Sequence, residues 1–281
     1  RGNLLYEKSI GKYTLNSVIG IASGSKWLSA ATIMTMVDDG VLDLDKPVST
    51  YLPSFGGDNG RITLRQCLSH TSGLPPDIPS SPTTNTLAGA VDRASNLPLI
   101  GPPGSQFKYG SASFQVAGRA AEIISGKNWE TLFQEKLARP LGMKDTTFGD
   151  DPNPSLAAGA ATSAGDYLSF LSMLLNRGRS GGRQVLSARS VDEMFSKQTS
   201  NLSTDFSLIP DNCGYGLGLW LDVLDEHGKA TQVSSPGFWG FVPWLDVQRG
   251  IYGVFATRDR LTNVLKTVRQ IQQLTSDAVP P

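Results

Sequence analysis

The longest helical pattern in the chain directly follows a segment rich in β-forming residues. Apolar side chains recur at steps of three and four residues between positions 23 and 39, and Gly40 closes the pattern, which predicts a long and largely buried helix. Residues 3–22 predict one or two strands that lead into this helix, the first near residues 4–7. The apolar positions of the helix are Trp27, Leu28, Ala31, Met34 and Val37.

Strand patterns occur near both ends of the chain, and helical patterns dominate its middle. Residues 51–205 contain helical patterns, such as 117–124 and 167–175, separated by loops rich in Pro, Gly and Ser. Strand patterns at both ends predict one sheet assembled from distant segments, in an α/β lobe formed by residues 1–50 and 206–281. The mainly helical lobe is inserted between them, within a single domain. The late strand patterns cover residues 215–223, 237–247 and 251–257, and a last helical pattern covers 263–274.

Composition and charge exclude several classes of partner. Hydrophobic residues make up 39% and charged residues 18% of the 281 residues, as in ordinary globular proteins. The 25 Lys and Arg residues balance the 25 Asp and Glu residues, so no strong field attracts nucleic acid or an anionic membrane. No apolar run approaches the roughly 20 residues that span a bilayer. We therefore expect a small-molecule partner and a soluble chain without a transmembrane segment.

The two cysteines do not indicate a metal site. Cys67 and Cys213 lie far apart in the sequence, and the two do not form a pair at metal-ligand spacing. We expect no metal. Two isolated buried thiols are the simpler interpretation, and a single disulfide is the alternative if the protein is exported.

Ser23-Gly24-Ser25-Lys26 places a serine and a lysine three residues apart where a strand leads into a helix. Residues three apart share a face of the first helical turn, so the Lys26 amine can reach the Ser23 hydroxyl. A serine hydroxyl is a poor nucleophile until a base takes its proton, and a desolvated lysine can be that base. The Ser23 amide at the helix start can also bind an oxyanion. The alternative is that Ser23 only caps the helix.

Tyr109-Gly110-Ser111 is the second candidate element and follows a turn-forming Gly-Pro-Pro-Gly segment at 101–104. In an extended segment, residues two apart project to one side, so Tyr109 and Ser111 would face the same cleft. A tyrosine beside a lysine cation can act as a base or a proton relay. The alternative is a turn tyrosine that makes a structural hydrogen bond.

Ser235-Pro236-Gly237 is the third element and precedes a strand-like run. A glycine at a strand start lets a substrate approach closely, and the amide of Phe238 could be a second oxyanion donor. Phe238, Trp239 and Trp244 are candidates for an acyl or alcohol pocket, although aromatic residues in a late strand more often belong to the core. An ordinary strand entry with a Pro-Gly turn is the alternative.

These three elements, in this order, resemble the serine β-lactamase and penicillin-binding protein superfamily, including its family VIII-type esterases. The resemblance implies a β-lactamase/transpeptidase-like fold, with an antiparallel sheet flanked by helices and an inserted helical lobe. It covers nearly the whole chain. The matching segments are residues 21–26, 40–48, 51–53, 62–74, 103–104, 140–143 and 215–218.

The resemblance also implies a two-step reaction. Ser23 would be acylated, Lys26 and Tyr109 would share the proton transfers, and water would release the acyl group without a metal or organic cofactor. The amides of Ser23 and Phe238 would form the oxyanion hole. A secreted or periplasmic location is favoured over the cytoplasm. The substrate-binding residues would be Ser111, Ser235, Gly237, Phe238 and Trp239.

The chain departs from the superfamily in two places. Members usually carry Lys-Thr-Gly or His-x-Gly where this chain has Ser235-Pro236-Gly237, and a cation there binds a substrate carboxylate or assists the tyrosine. Its replacement favours less polar esters or amides as substrates. Members also have a helix and a strand before the strand predicted near residues 4–7. We therefore expect the sequence to be incomplete and another segment to fill that place in the sheet.

Three functions follow from these features. The leading hypothesis is an esterase-like acyl hydrolase, and the second is a β-lactamase or D-Ala-D-Ala carboxypeptidase-type amidase. The third is an inactive relative that binds a ligand without turning it over. We interpret His70 and His227 as structural or exposed residues and not as general bases. Asp38 and Asp39 are interpreted as solvated charges at a helix end.

Overall fold

The computed structural model describes residues 4–200, 202 and 213–279. The strands are β1 (Ile19–Gly20), β2 (Ala161–Thr162), β3 (Arg179–Ser180), β4 (Arg183–Gln184), β5 (Gly214–Tyr215), β6 (Trp220–Leu224), β7 (Ala230–Ser234), β8 (Val242–Asp246) and β9 (Ile251–Phe255). The last five form one antiparallel sheet in the order β5-β6-β7-β8-β9. The other four form two short pairs, β1 with β2 and β3 with β4.

The helices are α1 (Ser25–Asp38), α2 (Leu64–Leu68), α3 (Leu87–Ala94), α4 (Ala112–Ser125), α5 (Trp129–Phe133), α6 (Arg139–Leu141), α7 (Ala164–Leu175), α8 (Ala188–Met194) and α9 (Leu261–Ala278). Short 3-10 turns occur at Ala22–Gly24, Val48–Thr50, Asn59–Arg61 and Pro82–Thr84, and a π-helical turn at Gln134–Ala138 joins α5 to α6. The predicted helices at 23–39, 117–124, 167–175 and 263–274 correspond to α1, α4, α7 and α9.

Helices cover both faces of the five-stranded sheet. Successive side chains of a strand point to opposite faces. In β8, Val242 clusters with Leu261 and Val268 of α9, whereas Leu245 belongs to the main core. Helix α7 packs against β8 and β9. The predicted α/β class, with an antiparallel sheet flanked by helices, is therefore confirmed.

Helix α1 is buried on all sides through its first three turns. A helix in such a position must satisfy its polar side chains internally. Ser29 donates from Oγ to the Leu156 carbonyl oxygen at 2.7 Å, and Ser25 Oγ accepts from the Ala160 amide at 3.0 Å. The backbone of residues 156–160 therefore fixes the helix that carries the Ser-x-x-Lys element.

Two predicted strands differ from the observed ones. Residues 215–223 form a hairpin of β5 and β6 and not one strand, and Gly218 in the turn has φ +81°. The strand predicted over 237–247 begins only at Val242, and β7 before it was not predicted. The third element, Ser235-Pro236-Gly237, thus lies in the turn between β7 and β8 and not at the start of a strand.

The strand predicted near residues 4–7 is wrong, because residues 4–18 contain no strand. A strand needs a hydrogen-bonding partner, and this segment is exposed, including Leu4 and Tyr6. Strand β9 is an edge of the sheet among the described residues. That another segment fills this place stays a prediction.

The predicted lobe boundary at 205/206 lies outside the described residues, and the division into two lobes stays a prediction. One hydrophobic core includes residues from both lobes, such as Trp27 of α1 and Phe114 of α4. Within the described ranges, no helix is both long and apolar enough to cross a membrane. The secreted or periplasmic location also stays a prediction.

Candidate active site

Ser23 and Lys26 lie together at the start of α1. Ser23 is in the 3-10 turn directly before the helix, and Lys26, only 3% exposed, is in its first turn. Lys26 donates from Nζ to Ser23 Oγ at 3.2 Å and to the Ala157 carbonyl oxygen at 3.0 Å. The N-cap residue of α1 is Gly24. Ser23 therefore does not cap this helix, and its hydroxyl is directed to the lysine.

The backbone around Ser23 is held in an unusual conformation. Ala22, the preceding residue, has φ +45°, a left-handed conformation that costs about 1–3 kcal/mol for a residue other than glycine. Tyr167 donates from its hydroxyl to the Gly24 carbonyl oxygen at 2.8 Å. Burial raises the pKa of Tyr167 well above its ordinary value, so the hydroxyl stays protonated and keeps donating this hydrogen bond.

Tyr109 completes the predicted catalytic group. Lys26 Nζ lies 4.4 Å from the centroid of the Tyr109 ring, a separation at which a cation is attracted to the face of an aromatic ring. Tyr109 also stacks on Trp220, with ring centroids 5.5 Å apart and an interplanar angle of 22°. The structure thus brings together the three residues that the sequence predicted to be catalytic.

Ser111 is held next to a residue that the sequence did not indicate. Its hydroxyl donates to Asp77 Oδ1 at 2.6 Å. The backbone amides of Ser111 and Ala112 both donate to the Pro76 carbonyl oxygen, at 2.7 and 3.0 Å. A Cβ atom on Gly110 would lie 2.2 Å from that same oxygen. The loop at residues 76 and 77 is therefore fixed against the Tyr-x-Ser element.

Ser235 bonds to the backbone of the site. It is 3% exposed, and its hydroxyl donates to the Ser23 carbonyl oxygen at 3.2 Å and approaches that of Gly218 at 3.5 Å. The side chain is therefore directed to the backbone that carries the nucleophile. A buried hydroxyl is expected to make such internal hydrogen bonds, and the substrate contact of Ser235 stays a prediction.

Gly237 brings the β7–β8 turn against the segment before Ser23. A Cβ atom on Gly237 would lie 2.1 Å from the Ile21 carbonyl oxygen, so no other residue fits without a backbone shift. The Gly237 amide donates to the Phe241 carbonyl oxygen at 2.8 Å, and the Gly240 amide donates to that of Gly237 at 2.9 Å. A tight turn therefore holds residues 237–241 against the segment that precedes Ser23.

The aromatic residues near this turn divide into two groups. Phe238 and Trp239 are 44% and 49% exposed, and their rings contact each other edge to face at 4.8 Å. Trp244 is buried in β8, where a Cβ atom on Gly253 would meet its indole at 2.7 Å. Trp244 therefore belongs to the sheet, whereas Phe238 and Trp239 are available to a ligand.

His70 is buried beside the predicted catalytic residues. Its ring lies 4.5 Å from the Tyr109 ring and 5.2 Å from the Phe114 ring. Neither ring nitrogen has a hydrogen-bond partner in the described part of the chain. Burial, with a smaller contribution from Lys26, lowers the pKa of His70 well below its ordinary value of 6.5. His70 is thus a neutral structural residue, as the sequence analysis interpreted it.

The other residues that the sequence singled out lie outside this site. His227 is exposed in a turn beside Glu226. Asp38 accepts hydrogen bonds from Ser187 and Ser190, each at 2.6 Å, and Asp39 pairs with Lys136. Both aspartates are exposed at the end of α1, as the sequence analysis interpreted them, and each also bonds to another segment. Cys67 is buried and Cys213 half-buried, and both are free thiols.

Two surface clefts lie elsewhere on the molecule. One has a volume of about 480 Å³ and is lined by residues including Glu122, Glu130 and Asp151. The other, about 400 Å³, is lined by residues including Asp38 and Lys136. Neither contains a residue of the predicted site. The described residues contain no cluster of three or more side chains suited to a metal ion.

Comparison with known proteins identifies the family of this chain. The sequence model of the family described as Beta-lactamase matches residues 1–274. The D-alanyl-D-alanine-carboxypeptidase/endopeptidase AmpH of Escherichia coli K12 is 33% identical over 151 residues, which is 50% of this chain and 39% of AmpH. The chain therefore matches well under half of the length of this curated relative.

Solved structures show the same fold. A structure from Bacteroides dorei DSM 17855, which carries a provisional beta-lactamase assignment, has a TM-score of 0.85 and 39% identity, covering 91% of this chain and 82% of that one. EstCE1, a hydrolase with promiscuous acyltransferase activity, has a TM-score of 0.74 and 22% identity, covering 88% and 81% of the two chains; this likeness shows the fold alone. Because the family model spans nearly its whole length, the chain belongs to the beta-lactamase family, whose members are serine hydrolases that act on esters or amides.

Proposed function

We propose that this chain forms an acyl-enzyme on Ser23 and hydrolyses small ester or amide substrates, with esters preferred. The observation that carries the proposal is the position of Lys26 Nζ, 3.2 Å from Ser23 Oγ and 4.4 Å from the centroid of the Tyr109 ring. A hydroxyl beside a lysine and a tyrosine can lose its proton as it attacks a carbonyl carbon. No structural role of Ser23 as a helix cap competes with this one.

The reaction has two steps. Ser23 Oγ attacks the carbonyl carbon, its proton passes to the Lys26 and Tyr109 pair, and the leaving group departs with that proton when its bond to the carbonyl carbon breaks. Water then attacks the acyl ester, the acid is released, and Ser23 regains a proton. The amides of Ser23 and Phe238 would stabilise the oxyanion of both steps. The close contact between Gly237 and Ile21 supports the second donor, because it holds the β7–β8 turn beside the Ser23 segment.

The preference for esters rests on the β7–β8 turn. Ser235 stands where relatives carry a cation, and it is buried and bonded to backbone carbonyl groups. A substrate carboxylate therefore has no charge-assisted partner at this position. Phe238 and Trp239, each nearly half exposed, offer apolar surface beside the site. Both features favour neutral, partly apolar substrates.

An amidase of the carboxypeptidase type is the second candidate. It is favoured by the 33% identity to AmpH, whose name gives a D-alanyl-D-alanine carboxypeptidase and endopeptidase activity. The loss of the cation at Ser235 weighs against it, because a peptide with a free C-terminus presents a carboxylate. The two candidates share the acyl-enzyme on Ser23 and differ only in the substrate.

Hydrolysis of p-nitrophenyl butyrate and of nitrocefin by the purified chain tests the proposal. We expect kcat/KM for the ester to exceed that for the β-lactam, and a Ser23→Ala variant to lose both activities. Ser95→Ala is the matched control, because the Ser95 hydroxyl is exposed at the end of α3 and bonds only locally. Much faster turnover of nitrocefin would reverse the substrate preference, and full activity of Ser23→Ala would refute the mechanism.

Covalent labelling distinguishes an enzyme from an inactive binding protein. A fluorophosphonate probe followed by mass spectrometry should give an adduct on Ser23 in the native chain and none in Ser23→Ala. If the native chain were folded but remained unlabelled, the site would be a binding site without turnover, and the proposed function would be wrong.

A further inference from the structure

We propose that Asp77 gives the site a charge preference, for substrates that place an ammonium or N–H group next to Ser111. The inference rests on the proposed function, in which Ser111 contacts the substrate. It identifies a specificity-determining residue that the three sequence elements do not contain. The observation behind it is the hydrogen bond from Ser111 Oγ to Asp77 Oδ1 at 2.6 Å.

This hydrogen bond fixes the polarity of Ser111. A serine hydroxyl has one donor and two acceptor positions, and a carboxylate only accepts. Because the Ser111 O–H donates to Asp77, only the lone pairs of Ser111 Oγ can bond to a substrate, and they can only accept a hydrogen bond. The site then matches a substrate group that donates, such as an amide N–H or an ammonium. A carbonyl or carboxylate oxygen at the same place would meet another acceptor without a proton between them.

Backbone contacts hold Asp77 at this place. The Pro76 carbonyl oxygen accepts from the amides of Ser111 and Ala112. Gly110 lies so close that a Cβ atom would be 2.2 Å from that oxygen and 2.4 Å from the Pro76 Cα. The loop cannot slide along the start of α4 without breaking two hydrogen bonds. Asp77 is therefore held in register with Ser111, although its side chain is exposed.

The charge of Asp77 adds to the effect of the hydrogen bond. Two opposite unit charges near the protein surface attract each other more strongly than they do in bulk water. Ser235 stands where family members usually carry a cation, and it is buried and bonded to the backbone. This position therefore supplies no positive charge to neutralise the negative charge of Asp77. The site should thus attract a cationic substrate relative to a neutral one of the same shape.

An isosteric pair of esters tests this preference. 4-Nitrophenyl 3-aminopropanoate and 4-nitrophenyl butyrate differ only by an ammonium in place of a methyl group. The selectivity is the ratio of their kcat/KM values, compared between the native chain and the variants so that the intrinsic reactivity of each ester cancels. We expect Asp77→Asn to lower this ratio by about tenfold and Asp77→Glu, which keeps the charge, to retain most of it.

Asp277→Asn is the matched control, because it makes the same change in net charge on α9, where among the described residues the Asp277 carboxylate accepts a hydrogen bond from Gln273. Its selectivity ratio should equal that of the native chain. An unchanged ratio in Asp77→Asn, with a melting temperature showing that the variant is folded, would overturn the inference and leave the proposed function intact. A drop of the same size in Asp277→Asn would also overturn it, since the effect would then come from net charge alone.

A binding measurement separates this inference from the proposed function. If the native chain hydrolysed neither ester, the proposed function would fail, and the charge preference would be measured with Ser23→Ala. We expect 3-aminopropanamide to raise the melting temperature of that variant more than butanamide does, and the difference to vanish when Asp77→Asn is added. Equal stabilisation by both amides would overturn the inference on its own.

Discussion

The two sides of the candidate active site are held in different ways. On the α1 side, Lys26 and the polar side chains near it are buried and bonded to the backbone of residues 156–160. On the opposite side, the β7–β8 turn is held by backbone contacts, while Phe238 and Trp239 remain nearly half exposed. Side-chain geometry is therefore fixed where the proposed proton transfer would occur and left adaptable where the substrate would be recognised.

Removal of the lysine should give the largest effect on the α1 side. Lys26→Met keeps the apolar stem of the side chain but removes the amine beside Ser23 Oγ. We expect kcat/KM for p-nitrophenyl butyrate to fall by about 100- to 10,000-fold, the usual contribution of a general base. Lys144→Met, at an exposed position, is the control. Retention of more than a tenth of the activity in folded Lys26→Met would show that another group takes the proton.

The contact between the two sides gives the next largest effect. Gly237→Ala would place a Cβ atom 2.1 Å from the Ile21 carbonyl oxygen, so the β7–β8 turn or the Ser23 segment must move. We expect the free energy of unfolding to fall by about 1–3 kcal/mol in a urea titration, with a loss of activity from the displaced Phe238 amide.

Gly56→Ala is the control for this substitution. Gly56 has open space around its Cβ position, and the same added methyl group should leave both stability and activity nearly unchanged. Native-like stability in Gly237→Ala would mean that the two sides are less tightly joined than their contact implies.

The local sequence pattern was enough to predict the structure around α1 but not that of the β7–β8 turn. The spacing of Ser23 and Lys26 and the apolar periodicity of α1 are properties of one helix, so the sequence alone predicted them. The β7–β8 turn depends on pairing between strands. Strand β7 was not predicted, because buried and exposed residues do not alternate along it. Its register with β6 is also interrupted by a bulge. The predicted strand start at Gly237 was wrong for that reason.

Side-chain contacts between residues far apart in the sequence could not be predicted either. Nothing in the spacing of Asp77 and Ser111 indicates their hydrogen bond, because it depends on the loop that Pro76 fixes to α4. The prediction that Ser235 contacts the substrate rests on its position in the third element, and that position did not indicate that its hydroxyl bonds to backbone carbonyl groups. A motif predicts position in the fold more reliably than it predicts the direction of a side chain.

The buried His70, which packs against the rings of Tyr109 and Phe114, should give a pH-dependent effect of intermediate size. His70 has a folded-state pKa well below its ordinary value of 6.5. Below pH 6.5 the unfolded chain therefore binds a proton that the folded chain does not, and stability must fall as the pH falls. The slope approaches about 1.4 kcal/mol per pH unit for one proton.

His70→Asn isolates this contribution. Asparagine does not titrate and tolerates the φ of +59° at this position. We expect the native chain to lose about 1–2 kcal/mol more stability than the variant between pH 6.5 and pH 5, measured by urea titration at each pH. His227→Asn, at an exposed position, should keep the native pH dependence. Parallel pH profiles for the native chain and His70→Asn would contradict the neutral, buried state of His70.

The exposed aromatic pair should give the smallest effect, confined to substrate recognition. Trp239→Ala removes a ring that is 49% exposed, so the melting temperature should change by no more than about 2 °C. If the ring binds an apolar acyl group, kcat/KM for p-nitrophenyl octanoate should fall by about 2- to 10-fold relative to the acetate. Leu274→Ala, exposed on α9, should change neither value. A large loss of stability in Trp239→Ala would show that the turn side depends on its side chains as the α1 side does, and the contrast between the two sides would then be wrong.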